Sequence, residues 1–305
     1  MSSPPSPAAS GVVPVIVNVT AGLGHPEDCA RRLEELFARH RLQARVLTAR
    51  SGDEIGRHVE TALASGAKVV VAGGGDGTVS AVAGRLRQTP VALGILPLGT
   101  LNHFARDLGI PDDPAEAVRT VAEGIRIAVD VGEVNGRAFI NNASIGMYPD
   151  IVRDRTRQQR RLGRGKYWAM LWATLAVMRR SPFLRLHMDI HGETRDLRSP
   201  FVFIGNNDYA MEGFEIGRRS SVRDGCLSVY TTQRSGRWAL LRLALRALFK
   251  RLEQADDFSM LRAEHLRIDS RRRRMLVATD GEVTALDTPL EFRVLPGALQ
   301  VIVPA

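Results

Sequence analysis

Residues 69–78 read VVVAGGGDGT, and this stretch restricts the fold more tightly than any other in the chain. Four small or β-branched apolar residues make a short strand that suits burial on both faces. Three glycines, an aspartate and a fourth glycine end it, and helical spacing resumes at residues 79–86. A strand, a glycine turn and a helix in that order leave unsatisfied backbone N–H groups at the helix start, where they suit phosphate oxygens. Glycines let the backbone approach such a group with no Cβ in the way. Asp76 stands inside this turn. A carboxylate among phosphate-binding amides makes sense when a cation lies between, so Asp76 points to Mg²⁺. An ordinary strand-to-helix turn is the bland alternative, but it does not need four glycines. No Gly-Lys-Ser/Thr follows, so this is not a Walker A loop. Thr78 occupies the third glycine position of a dinucleotide fingerprint, which excludes that motif too.

Strands and helices alternate around this turn. Residues 12–19, 45–48, 68–72 and 91–96 carry strand character, and residues 26–40, 53–64 and 79–86 carry helical spacing. The alternation predicts a parallel sheet with helices on both faces. The fourth strand runs into LPLGTLNHFARDLGIP at residues 96–111, which repeats the design of strand, Pro/Gly turn and helix. Two such turns at adjacent strand ends would line one crevice, the usual ligand position in open parallel sheets. Past about residue 130 the texture changes. Short strands at residues 138–142, 184–190, 201–204, 227–230, 266–268, 275–279, 290–294 and 299–303 are separated by Gly, Asn, Asp and Ser. They predict a mostly antiparallel, sandwich-like second domain. One of them leads into Thr279-Asp280-Gly281-Glu282, which by itself reads as a hairpin turn. The expected class is therefore α/β plus all-β. Residues 1–11 form a disordered tail, 12–130 the α/β domain, and 131–305 the β-rich domain, with its last residues returning to the first.

Composition narrows the partners. Of the 305 residues 44% are apolar, which excludes a disordered or fibrous chain. The net charge of +9 predicts attraction to polyanions. Residues 153–180 begin as a basic run and become YWAMLWATLAVM between Lys166 and Arg179. That apolar run is too short to cross a bilayer. It suits a helix at a membrane interface, or a core helix with a solvated basic end. Residues 237–252 alternate Arg with Leu and Ala. The N-terminus has no charged n-region or long apolar stretch, so no secretory signal is expected. Cys29 and Cys226 cannot build a disulfide framework. The expected location is cytoplasmic, with peripheral contact at the inner membrane face. Arg271, Arg272, Arg273 and Arg274 lead straight into an apolar strand without an aromatic platform, so nucleic acid is not an expected partner.

GGDGT at residues 74–78, LPLGTLNHFARDLGIP at 96–111 and DGE at 280–282 together resemble the diacylglycerol kinase catalytic-domain family. That family includes bacterial lipid kinases and sphingosine kinases and is related to the NAD kinases. The resemblance covers most of the chain from Val12. It implies a phosphofructokinase-like α/β nucleotide-binding domain and a β-rich lipid-binding domain, with ATP between them. The implied reaction passes the γ-phosphoryl of ATP to a lipid hydroxyl, such as that of diacylglycerol or a sphingoid base.

Residue by residue, the resemblance implies nucleotide contacts at Asn18 and Gly22 in NVTAG, where Val19 replaces the usual proline. It extends them to Thr48, to Gly74, Gly75, Asp76, Gly77 and Thr78, and to Gly99, Thr100 and Asn102. It implies acid/base chemistry at Glu282 or Asp280, which stand nearly equal, with Asp76 organising Mg²⁺. SVRDGCL at residues 221–227 resembles the bacterial members' structural Mg²⁺ loop, which implies Ser221, Asp224 and Cys226 around the ion. A plain Asp-Gly turn is the alternative there. The chain departs from the family at Ser80 and Ala81, where many members have Asn and Glu, and at His103, where many have Asp. Losing two carboxylates bears on Mg²⁺ or nucleotide handling, or marks a subfamily with another acceptor. The competing readings are an NAD kinase-like enzyme and a catalytically weak lipid- or nucleotide-binding protein. The long motif at 96–111 favours the lipid branch. The partners implied are ATP, a lipid substrate and an anionic membrane surface.

Overall fold

The computed structural model of the protein describes residues 11–19, 26–146, 184–190, 193–212, 215–219, 221–232 and 258–305. The chain divides into two compact units. One takes Met1–Val131, Ser221–Arg223 and Leu295–Ala305, and the other takes Gly132–Ser220 and Asp224–Val294.

The first unit is α/β. In chain order it contains β1 (Val13–Asn18), α1 (Pro26–Arg39), β2 (Ala44–Ala49), α2 (Gly52–Ala64), β3 (Val69–Gly74), α3 (Asp76–Leu86), β4 (Ala92–Pro97), α4 (His103–Asp107), α5 (Pro114–Glu123) and the first part of β5 (Ile125–Val134). The strands pair in parallel in the order β2-β1-β3-β4. Every residue of β3 and β4 is buried, as expected of strands covered on both faces. Ile16, Phe37, Leu86, Leu93, Ile95 and Leu96 fill this core. Ser51 caps α2 by accepting the Glu54 N–H at 3.2 Å, and Asp113 caps α5 ahead of Pro114.

The second unit is antiparallel. Its elements are β6 (Arg137–Phe139), β7 (Asn142–Gly146), β8 (Leu184–Ile190), β9 (Glu193–Ser199), β10 (Phe201–Asn206), β11 (Tyr209–Glu212), β12 (Glu215–Arg219), β13 (Leu227–Thr232), β14 (Phe258–Ala263), β15 (His265–Asp269), β16 (Arg274–Thr279) and β17 (Glu282–Asp287). The first residues of β18 (Leu290–Val303) also belong to it. Six strands pair in the order β14-β13-β10-β7-β16-β17, while β15 pairs with β8 and β18, and β8 with β9. Ile145, Ile204, Val229 and Val277 from the first set pack with Met188, Leu266, Ile268 and Phe292 from the second. Alternate in-facing positions of two sheets thus make one core.

Two expectations are corrected here. A single strand over residues 138–142 is instead β6 and β7, broken at Ile140 and Asn141. There the backbone N–H groups leave the ladder to bind Asp280. Separate strands at 290–294 and 299–303 are instead one strand, β18, which continues through Gly297 at φ +60°. Gly22 and the segments at 153–180 and 237–252 lie outside the described residues.

Candidate functional site

In the first unit the predicted nucleotide residues gather at the carboxyl ends of the parallel strands. Register places Asn18 beside Ala49, Val17 beside Gly73, and Gly74 beside Pro97. Thr48 lies one residue from the end of β2, with His58 Nε2 3.2 Å from its carbonyl oxygen. This edge is where an open α/β sheet presents ligands to its loops.

The two glycine turns touch. A Cβ built on Gly99 would lie 2.4 Å from the Gly75 Cα, and one on Gly74 would lie 2.5 Å from the Thr78 hydroxyl. Only glycine permits that approach. α3 starts at Asp76, so Asp76 is a helix residue rather than a turn residue. The Thr78 and Val79 N–H groups donate to the Gly75 carbonyl at 2.9 and 3.1 Å. The N–H groups ahead of them have no acceptor within the helix, and such a helix start attracts anions.

The second turn is organised from within. The Gly99 N–H donates to Asn102 Oδ1 at 3.1 Å. Asn102 Nδ2 donates to the Pro97 and Gly99 carbonyls at 3.2 and 3.0 Å, and to Asp112 Oδ1 at 3.3 Å. Asn102 is 5% exposed and adopts a left-handed conformation at φ +49°. It shapes the turn, whose tip exposes Thr100 and Leu101. Asp76 accepts the His103 and Phe104 N–H groups on its two oxygens, at 3.2 Å each. It therefore caps α4 and ties the two turns together. Each carboxylate oxygen keeps a second lone pair, and Asp76 is only half-buried.

These residues fit a magnesium nucleotide. Mg²⁺ is commonly held by one or two carboxylates plus substrate phosphates, not by an all-protein cage. No group of three His, Cys, Asp or Glu side chains suited to a metal occurs among the described residues.

In the second unit, Asp280 and Gly281 form a two-residue hairpin turn between β16 and β17, at φ +47° and +85°. Both positive angles mark the turn type that favours Asp-Gly. The Asp280 carboxylate accepts three backbone N–H groups: Ile140 at 2.8 Å on Oδ2, with Asn141 at 2.8 Å and Asn142 at 3.0 Å on Oδ1. Glu282 points elsewhere. Its Oε2 accepts Arg137 Nη2 at 2.7 Å, and its side chain is 62% exposed. Arg137 Nε is fixed on the Thr279 hydroxyl at 2.9 Å. The two carboxylates thus differ sharply: Asp280 is spent on backbone, and Glu282 stays accessible.

Behind the Asp280 turn lies a buried polar cluster. Arg219, 6% exposed, donates to the Ile140 carbonyl at 2.6 Å and to Asn141 Oδ1 at 3.1 Å. Its guanidinium carbon lies 5.6 Å from the centre of the Tyr209 ring. Asn206 Nδ2 donates to the Ile140 carbonyl at 3.0 Å, and the Tyr209 hydroxyl to the Asn141 carbonyl at 2.9 Å. Burial pushes the Tyr230 hydroxyl above its usual range, and that hydroxyl donates to the Tyr209 carbonyl at 3.1 Å.

The predicted metal loop is engaged internally. Ser221 Oγ accepts the Arg223 N–H at 3.0 Å. The Asp224 N–H donates to Asn207 Oδ1 at 3.0 Å, and the Cys226 carbonyl accepts the Asn207 N–H at 2.9 Å. The exposed Asp224 side chain presents the loop's carboxylate to solvent.

Sequence reasoning missed Arg137, Asn141, Arg219 and Asp112. Arg137 follows an Asn-Gly pair at 135–136, itself a hairpin signal, which would have placed it on a strand. Nothing local marks Arg219.

Two sequence-family models span most of the chain. The diacylglycerol kinase catalytic domain matches residues 12–134, and the YegS C-terminal NAD kinase beta sandwich-like domain matches residues 143–303. The chain belongs to the diacylglycerol kinase catalytic-domain family. A protein of Mycobacterium tuberculosis named diacylglycerol kinase is 32% identical over 81% of each chain. An uncharacterised protein of Synechocystis is 29% identical over 78% of this chain and 55% of its own length, so the match spans about half of that relative. A crystal structure of a diacylglycerol kinase from Bacillus anthracis superposes with a TM-score of 0.70, over 95% of this chain and 96% of that one. At 24% identity it establishes the shared fold. No helix among the described residues is long and apolar enough to cross a membrane.

Proposed function

We propose that this member of the lipid kinase family passes the γ-phosphoryl group of ATP to the hydroxyl of a lipid alcohol. The observation that carries the proposal is the difference between the two late carboxylates. Glu282 is exposed and oriented by Arg137, while Asp280 is committed to three backbone N–H groups. That difference favours Glu282 as the proton acceptor.

In this reading the first unit holds the nucleotide. The helix start at Gly75 and Asp76 offers N–H groups to phosphate oxygens. Asp76 is the carboxylate that would hold Mg²⁺, which when bound neutralises charge on the phosphates. Asn102 and Asp76 keep the two turns in register so that these groups are fixed before the substrate arrives. The second unit supplies the base. Glu282 Oε1 takes the acceptor hydroxyl proton as the hydroxyl oxygen bonds to the γ-phosphorus, the bond to the bridging oxygen breaks, and ADP leaves. Arg137 holds Oε2, so the free oxygen keeps one orientation. Ala81 and His103 stand where many family members have carboxylates, so Asp76 would hold the cation without them.

The test is labelled ATP with Mg²⁺ and a panel of lipid alcohols in mixed micelles, with NAD as a separate acceptor. A labelled lipid is expected, and Glu282→Gln should lower kcat by about 10²–10⁴-fold while nucleotide affinity stays constant. Labelled NAD and unlabelled lipid would overturn the reading. So would a Glu282→Gln enzyme with wild-type kcat.

A further inference from the structure

The strand registers of the second unit sort its features to two ends. At one end lie Asp280, Glu282, Asn142, Asn206, Leu227 and Ala263. At the other, register aligns Phe201 with Gly146, and Thr232 with Phe258. Strand β16 runs between the ends for six residues, roughly 20 Å at about 3.3 Å per residue. The turn that precedes it, residues 270–273, therefore lies at the end away from Glu282. This turn and the start of β16 carry Arg271, Arg272, Arg273 and Arg274, all exposed. Arg274 pairs with Asp287 at 3.2 Å. No carboxylate among the described residues pairs with the other three. The turn is nonetheless fixed, because the Thr288 hydroxyl donates to the Arg272 carbonyl at 2.7 Å and the Thr288 N–H to the Arg273 carbonyl at 3.0 Å. Three unpaired guanidinium groups are thus presented on a rigid support.

The same end is where the chain leaves and re-enters the unit. Segment 147–183 joins it at Gly146 and Leu184, and a Cβ on Gly146 would lie 3.1 Å from the Leu184 side chain. Segment 233–257 joins it at Thr232 and Phe258. By sequence, 147–183 carries nine Arg and Lys against two Asp, and 233–257 carries six against three Asp and Glu. All three tryptophans, Trp168, Trp172 and Trp238, fall in these segments. Clustered cations with tryptophan are the composition of chain that meets anionic headgroups.

We infer that the Arg271–Arg273 turn marks a docking surface for an anionic lipid bilayer, at the end of the second unit opposite Glu282. This deepens the lipid kinase reading and rests on it for the biological purpose, though not for the binding itself. Nucleic acid fits less well, because the cations crown one turn instead of tracking a groove.

The test is sedimentation of the full chain with vesicles of phosphatidylcholine alone, or with added phosphatidylglycerol, at low and high salt. The variant is Arg271→Ser, Arg272→Ser and Arg273→Ser together. The control removes equal charge from the first unit, as Arg31→Ser, Arg39→Ser and Arg57→Ser. Thermal unfolding checks that both variants fold. Wild type should prefer anionic vesicles and lose that preference in high salt. The turn variant should lose about 100-fold in partition, at about fivefold for each cation near the surface, and the control far less. Wild-type partition in the turn variant would overturn the inference, and so would equal losses in variant and control. Loss of oligonucleotide binding with vesicle binding intact would move the surface to nucleic acid. If the turn governs vesicle binding but no lipid alcohol is phosphorylated, the surface stands and the kinase reading fails.

Discussion

Replacing Asp280 separates its two jobs, as a turn residue and as an acceptor of three backbone N–H groups. Hydrogen bonds to a charged group contribute about 1.5–3 kcal/mol each. Asp280 is only half-buried, so water can replace part of that, and the three do not add in full. Asp280→Ala also places alanine at the left-handed angle of +47°, which costs about 1–2 kcal/mol. A loss of about 3–5 kcal/mol is expected. Asp280→Asn tolerates the left-handed angle and keeps Oδ1 for Asn141 and Asn142. It loses the acceptor for Ile140, and should cost only about 1–2 kcal/mol. Urea unfolding gives the two losses, and amide hydrogen exchange at Ile140, Asn141 and Asn142 localises them. Exchange at Ile140 should quicken in both variants, and at the other two mainly in Asp280→Ala. If Asp280→Asn unfolds like wild type and still abolishes turnover, Asp280 acts as the base and the division between the carboxylates is wrong.

Gly99→Ala should lower stability by at least about 1–3 kcal/mol, because its Cβ meets backbone at Gly75, whereas Gly77→Ala has open space and should fold like wild type; nucleotide titration calorimetry would then show weaker binding for Gly77→Ala if phosphates approach that amide. Asp76→Asn keeps one acceptor for the start of α4 and loses the other, so it should destabilise by about 1 kcal/mol and raise the Mg²⁺ concentration needed for half-maximal turnover; an unchanged Mg²⁺ curve would remove Asp76 from cation binding. The Tyr230 hydroxyl titrates higher when folded than the ordinary value of 10.0. The unfolded chain therefore ionises first, and stability should fall as pH rises past about 10, a loss that Tyr230→Phe should remove in high-pH unfolding curves.

Much of the first unit was legible because its strands announce themselves. β3 and β4 are continuous apolar runs ended by glycine or proline turns, and burial on both faces leaves no other way to write them. α5 went unread although Asp113, Pro114 and Glu116 form a clear helix start. In the second unit β17 was hidden, because Glu282, Thr284 and Asp287 on an exposed edge dilute its apolar residues. The candidate residues were found by motif, but their work was not. Asn102 and Asp76 read as ligand contacts, and they also hold the turns together. Asp280 and Glu282 stand two residues apart in one motif. Only the hairpin, which turns one carboxylate to the backbone and leaves the other open, tells them apart.

The strand β18 has a consequence for biosynthesis. Gln300 and Val301 pair with Ala92 and Leu93, so the edge of β4 is covered by residues that leave the ribosome roughly 200 positions later. At about 5–20 residues per second, that edge waits on the order of 10–40 s for its partner. A fragment ending near Val131 would keep the glycine turns and lack this cover, and an uncovered strand edge invites pairing with a neighbouring chain. The nascent first unit is therefore a stage at which this chain exposes an unpaired strand edge.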